Sequence, residues 1–167
     1  MSRGLVPFYG SPMHRLTLLA SVLLLGSCNR PHAWHRPELA ALADAADLEL
    51  LTISPQPVRG EPQPVREHSI AAYTVLGRTT LAAPERGPML ESLDTAIASG
   101  SDRTACFMPR HALRGTTADG VVEVIVCFEC ATAIITTARG HATVAIDRDG
   151  DGGLEAVRTA AGLPIAP

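Results

Sequence analysis

Thr116-Thr117-Ala118-Asp119-Gly120-Val121-Val122-Glu123-Val124-Ile125-Val126 is the stretch that decides the fold. Before it stands His111-Ala112-Leu113-Arg114, and after Gly120 an apolar run begins. An Asp-Gly pair between strand-like runs marks a hairpin, because glycine accepts the positive φ that a tight reverse turn demands. Hairpins pair their strands antiparallel. The expected class is therefore α+β: a small, mainly antiparallel sheet with helices packed on one face.

Downstream, Val121 to Thr137 reads as one long strand. It is too long to run uninterrupted in a small sheet, so a bulge is expected near Cys127–Ala131. Arg139-Gly140 marks the next turn and Ala142–Ile146 the last strand. Gly153–Ala161 can form a final short helix ahead of Gly162 and Pro164. Upstream, Met89, Leu90, Leu93 and Ile97 recur at helical spacing over Pro88–Ser99, with Gly100 as a stop. Ile70–Leu76 opens a strand that resumes after Gly77 as Arg78–Leu81, with a bend or bulge at the glycine. Leu48–Ile53 reads as a strand and Glu38–Asp47 as a short helix. Pro55-Gln56-Pro57-Val58-Arg59 recurs as Pro62-Gln63-Pro64-Val65-Arg66. Such proline density forbids a helix and favours an extended spacer, a Pro-rich loop over 55–67.

The N-terminus has the pattern of an export signal. Arg3, His14 and Arg15 precede an apolar run from Leu16 to Leu25, too short to span a bilayer as a helix. Small residues follow, Gly26 and Ser27, and then Cys28. Three segments result: 1–27 as a lipoprotein-type signal peptide, 28–37 as a tether, and 38–167 as a single domain. Of the 167 residues, 14 are arginine and none lysine. Without Arg3 and Arg15 the formal charge falls from -3 to -5. No basic cluster or aromatic–basic platform suggests nucleic acid. Nor is there a phosphate loop, a His-Glu-x-x-His, a Gly-x-Ser-x-Gly or a dinucleotide fingerprint.

Chemistry concentrates in Cys106-Phe107-Met108-Pro109-Arg110-His111 and Cys127-Phe128-Glu129-Cys130. Three thiols beyond Cys28 are an odd number, which leaves three readings open. The first is one structural bridge, such as Cys106 to Cys127 or Cys130, stapling a small core. The second is a Cys3His set of Cys106, His111, Cys127 and Cys130; zinc is the one cofactor such a set would take. Against it, Cys127 and Cys130 point to opposite faces of a regular strand, and only a bulge can re-aim one. The third is thiol–disulfide exchange, with Arg110 or His111 lowering a thiol pKa. Its familiar context places a helix after the motif, and here Ala131–Ile135 is β-like. Asp147, Asp149 and Asp151 with Gly152 resemble the start of a calcium loop, but Arg158 stands where a bidentate glutamate belongs and no helix precedes. An acidic turn is the expected role. Glu123 and Glu129 would share a strand face.

Two resemblances carry further expectations. Leu25-Gly26-Ser27-Cys28 resembles the lipobox of bacterial lipoproteins, which implies cleavage before Cys28 and acylation of that cysteine. The implied partner is a membrane, held through lipid. Asn29 follows the cysteine in place of an inner-membrane-retaining Asp, which favours the outer membrane of a bacterial envelope. Residues 70–167 resemble a group of small bacterial exported proteins with a CFxPRH…CFEC signature, seen here at Cys106–His111 and Cys127–Cys130. The resemblance implies that Cys106, His111, Cys127 and Cys130 act as one unit, and it implies no activity. The expected function is an envelope lipoprotein with a small binding or interaction domain, more a module than an enzyme. A thiol–disulfide redox protein is the alternative.

Overall fold

The structure, a computed structural model, describes residues 36–58 and 69–167. The segments expected as signal peptide and tether, with Cys28, and residues 59–68 of the expected Pro-rich loop lie outside the described residues. In chain order the elements are helix α1 (Pro37–Ala43), strands β1 (Asp47–Pro57), β2 (Ser69–Ile70) and β3 (Tyr73–Thr80), helix α2 (Ala83–Ser99), strands β4 (His111–Thr117), β5 (Gly120–Cys127), β6 (Thr132–Thr137) and β7 (Gly140–Ala145), a 3-10 turn (Arg148–Asp151) and helix α3 (Gly152–Ala160).

One sheet holds all seven strands in the order β2-β3-β1-β4-β5-β6-β7. Every pairing is antiparallel. Strands β3 and β4 flank β1 and run the same way, so a crossover must join them, and α2 supplies it. From β4 to β7 the chain is a plain meander. The α+β class expected from Asp119-Gly120 is the one observed. That turn joins β4 to β5 with Gly120 at φ 111°, and Arg139-Gly140 joins β6 to β7 with Gly140 at φ 132°.

Alternation places the core. Leu48 and Leu50 on β1, Leu113 on β4, Val122, Val124 and Val126 on β5, and Ala133 and Ile135 on β6 share one face. There they meet Leu39 and Leu42 of α1, Met89, Leu90, Leu93 and Ala96 of α2, and Leu154 of α3. All three helices thus lie on one face, as expected. Burying each large aliphatic side chain contributes about 1.5–3 kcal/mol, which outweighs the weak intrinsic preferences of such short helices.

The opposite face is polar in its middle, where Arg114 meets Glu123 at 2.9 Å and Arg78 meets Glu49 at 3.7 Å. At one end it carries a second small core of Leu51, Ile53, Ile70, Ala112 and Ile125, with Phe107, Tyr73 and Val75 packed against it. Phe107 belongs to the loop 101–110, so this loop covers that end of the sheet. Double cover explains why β5 alternates at its start and is buried on both faces from Val124 to Cys127.

Several boundaries differ from expectation for identifiable reasons. Helix α2 begins at Ala83 rather than Pro88. Pro84 fits its first turn, Glu85 accepts a hydrogen bond from the Ala82 N–H at 2.8 Å, and Arg86 donates to Ala45 O at 2.6 Å. Pro88 therefore sits inside the helix, where the carbonyl it leaves unbonded belongs to exposed Pro84. Strand β1 continues through Pro55 and Pro57, because β4 pairs with it only as far as Thr52 and the prolines interrupt no ladder there. Ile70 to Tyr73 is a tight turn between β2 and β3, with Ala71 at φ 49°, not the start of a strand. The bulge expected at Gly77 is present: Thr52 faces Gly77 and Ile53 faces Val75, leaving Leu76 as the extra residue.

The largest difference concerns Val121–Thr137. It is not one bulged strand but two paired strands, β5 and β6, joined by a turn over residues 128–131. Ala131 takes φ 50° and its N–H donates to Phe128 O at 2.9 Å. Far from this turn, Pro37, Glu38 and Ala41 of α1 line a cavity of ≈ 200 Å³ with Thr117, Asp119 and Val121 beside the β4–β5 turn. No helix among the described residues is long and apolar enough to cross a membrane.

Candidate functional site

The reversal after β5 solves the facing problem set by the Cys-x-x-C spacing. A strand would point the two sulfurs apart, whereas a four-residue turn brings its two corners together. Cys127 and Cys130 lie 5.1 Å apart at Cα and form a disulfide. The bridge is therefore local. The expected bond from Cys106 to one of them is not the one formed, and Cys106 is the free cysteine among the described residues.

Cys106 is nevertheless part of the same site. The loop 101–110 starts at Gly100, where a Cβ would lie 2.6 Å from the backbone of Ala145 and Ile146, so the chain leaves α2 pressed against the end of β7. Thr104 then clamps the loop to the turn. Its N–H and its hydroxyl both donate to Cys130 O, at 3.1 and 3.0 Å. The same hydroxyl lies 3.4 Å from Cys106 Sγ. Cys106 Sγ is held 4.0 Å from Cys130 Sγ. Three sulfurs thus converge, two in a bridge and one beside it.

Backbone dipoles are aimed at the bridged pair. The Met108 N–H donates to Cys130 Sγ at 3.3 Å, and the Cys130 N–H donates to Cys127 Sγ at 3.2 Å. A sulfur released on either side would find a backbone donor in place, while the Met108 carbonyl lies 3.4 Å from Cys127 Sγ. Exposure divides the trio sharply. Cys127 is 2% exposed and Cys130 0%, while Cys106 is exposed.

His111 does not join them. On β4 it shares its face with Leu113, the helix-covered side, whereas Cys127 follows Val126 onto the other side. Its Nε2 lies 3.5 Å from Glu155 on α3, and its ring meets Phe128 edge-on at 6.4 Å. The Glu155 carboxyl is held below the usual carboxylate range, first by the hydrogen bond from Arg158, then by the charges of Arg158 and His111, with burial opposing. Arg110, the other expected activator, pairs with Glu129 at 2.7 Å. Glu129 sits in the turn, and Glu123 on β5 pairs with Arg114 on β4, so the two glutamates do not form a pair.

The zinc ligand set is accordingly not assembled in this arrangement. Two of its sulfurs are bonded to each other and its imidazole lies across the sheet. Among the described residues no group of three or more His, Cys, Asp or Glu side chains is arranged to hold a metal. Asp147 Oδ1 accepts from the Asp149 N–H at 3.1 Å, and the Gly150 N–H donates to Asp147 O at 3.3 Å. Asp147 therefore stabilises the 3-10 turn from its start, which is the acidic-turn role. Asp149 lies within that turn and Asp151 ends it, the Asp151 side chain being outside the described set. The strand before this segment is β7, not the helix a calcium hand requires.

Sequence reasoning missed Thr104 and the Met108 N–H. Neither has a sequence signal, since each acts through a backbone contact across the loop. The placement of His111 did have one: it is two residues from Leu113, and strand parity assigns both to the same side. Comparisons with protein-family models, with curated proteins and with solved structures find no match to this chain.

Proposed function

We propose that this chain is an exported, lipid-anchored envelope protein whose domain performs thiol–disulfide exchange through Cys127 and Cys130. One observation carries the reading: the bridge closes a turn that the ladder already closes. Cys127 is paired with Thr132, and the β5–β6 register holds from Glu123 to Cys127. A disulfide around so short a loop contributes only about 2 kcal/mol by loop-entropy reasoning. As a staple it adds little. As a redox pair it suits the fold, because the bridged and open forms can keep the same strands. A backbone N–H stands at each sulfur to meet it when the bridge opens. An interaction module with a purely structural cluster, the first expectation above, gives those donors no task.

The lipid anchor rests on the signal pattern and the Leu25–Cys28 resemblance, with attachment at Cys28 and the outer membrane favoured by Asn29. Labelled fatty acid should incorporate into the wild type and not into Cys28→Ala, which should also leave the membrane fraction. For the exchange activity, the full chain is titrated with reduced and oxidised glutathione, reading the bridge by alkylation and the fold by circular dichroism. Reversible opening of Cys127–Cys130 with the strand signal retained is expected. A bridge that opens only on unfolding, or one equivalent of zinc in the purified protein, would remove the proposal.

A further inference from the structure

The exchange reading leaves a problem of access that the third sulfur resolves. A thiolate from outside must reach a sulfur to attack it, and the bridged pair offers almost no surface: Cys127 is 2% exposed and Cys130 0%. Cys106 is exposed and rests 4.0 Å from Cys130 Sγ. That is close to the near-attack separation of about 3–3.5 Å. The loop that carries it is fastened to the carbonyl of the very residue it would attack, through both polar groups of Thr104.

We propose that Cys106 is the port of a three-cysteine relay, through which the buried disulfide is passed to paired thiols of another polypeptide. This rests on the exchange reading above and says how the exchange reaches the outside. In the first step the Cys106 thiolate attacks Cys130 Sγ. A Cys106–Cys130 bond forms, the Cys127–Cys130 bond breaks, and Cys127 leaves as a thiolate that takes up the proton Cys106 gave to solvent. No electrons enter or leave; the disulfide has changed partner. The departing Cys127 sulfur is the one that the Cys130 N–H faces. In the second step a partner thiolate attacks the exposed Cys106 Sγ and expels Cys130 as a thiolate, which the Met108 N–H receives. The partner's second thiolate then attacks the mixed disulfide and expels Cys106. Two electrons and two protons pass from the partner dithiol to this chain, which ends with three thiols while the partner ends with a disulfide.

Thr104 is a positioning residue in this scheme. Its hydroxyl spans from Cys130 O to Cys106 Sγ and fixes the approach of one sulfur to the other.

The test uses the oxidised full chain in detergent with a reduced synthetic peptide carrying two cysteines. Reactions are quenched by alkylation and each cysteine is mapped by peptide mass, which keeps Cys28 separate. In the wild type the peptide is oxidised and its mixed disulfide is found on Cys106. Cys106→Ser keeps the Cys127–Cys130 bridge and the wild-type melting midpoint but oxidises the peptide at least tenfold more slowly. Cys127→Ser, oxidised, contains a Cys106–Cys130 bridge. Undiminished exchange by Cys106→Ser, or free Cys106 and Cys130 in oxidised Cys127→Ser, would overturn the relay. A wild type that leaves the peptide reduced, with Cys106–Cys130 still forming in Cys127→Ser, would remove the exchange function and keep only the internal transfer of the bridge from Cys127 to Cys106.

Discussion

Strand β5 ends in two turns of opposite character. At its start, Ala118-Asp119 makes a tight, exposed reversal that Gly120 permits and the Thr117 hydroxyl closes on Gly120 O at 2.8 Å, with a solvent-facing Arg139–Asp119 pair at 2.6 Å beside it. At its end, Phe128 to Ala131 makes a longer reversal that is mostly buried, bridged by sulfur and covered by a loop from elsewhere in the chain. The first turn is held by its own residues. The second is held by what lies over it: Thr104 and Met108 from the loop, and Ile146, whose N–H donates to Ala131 O at 3.1 Å. Locally specified turns tolerate change, whereas a turn specified by its surroundings can be shifted by anything that alters them. That is a suitable place for a bond that opens and closes.

The contrast is most open to attack at Phe128. This ring is buried in the main core against His111. Phe128→Ala should lower the unfolding free energy by about 3–5 kcal/mol in a urea titration. A loss below 1 kcal/mol would mean that the buried turn does not depend on its cover. Reducing the bridge comes next. With dithiothreitol on the wild type, stability should fall by about 2 kcal/mol, with amides of β5 and β6 still protected from hydrogen exchange. Loss of that protection would show that sulfur, not the ladder, forms the hairpin.

The two turns also differ in how far they are legible in the sequence. Asp119-Gly120 announces itself because its requirement is local: a residue that accepts positive φ. Phe128-Glu129-Cys130-Ala131 has no glycine, proline or asparagine, and the non-glycine Ala131 adopts φ 50°. Its flanks, Val124-Ile125-Val126 and Ala133-Ile134-Ile135, are continuous strand formers. Nothing in that run says where it breaks, because the break is stabilised by residues 101–110, about 20 positions away. The convergence of Cys106 with the Cys-x-x-C was legible from the hairpin, which returns the end of β5 to the start of β4. Which two would bond was not, since that depends on the turn. His111 adjoins the motif in sequence, and the parity of β4 sets it on the helix-covered face with Leu113.

Ala131 supplies a smaller test in the opposite direction. Ala131→Gly removes the cost of a left-handed alanine and should raise stability by about 1 kcal/mol if the turn keeps its shape. No gain would indicate that the reversal has another geometry. Acid probes both ends of β4. Asp47 Oδ1 accepts from the Thr116 N–H at 2.7 Å, which holds its carboxyl below the usual range, as Arg158 does for Glu155. A depressed carboxylate stabilises the fold above its unfolded pKa, and that contribution is lost as pH falls through the folded value. Melting midpoints should therefore hold steady at neutral pH and fall below about pH 4–5, with a shallower fall in Asp47→Asn and Glu155→Gln. The smallest effect is expected at the exposed turn. Arg139→Ala should leave the melting midpoint unchanged, because both partners of its ion pair face solvent.

The two ends of β5 also set an orientation. The chain enters the domain at α1, beside the Asp119 turn, where Pro37 and Glu38 line the cavity with Thr117 and Asp119. The sulfurs sit at the other pole, roughly 25 Å away along an eight-residue strand. A change at the entry pole is therefore one strand length from the sulfurs, so whatever is attached ahead of α1 need not disturb the turn that carries them.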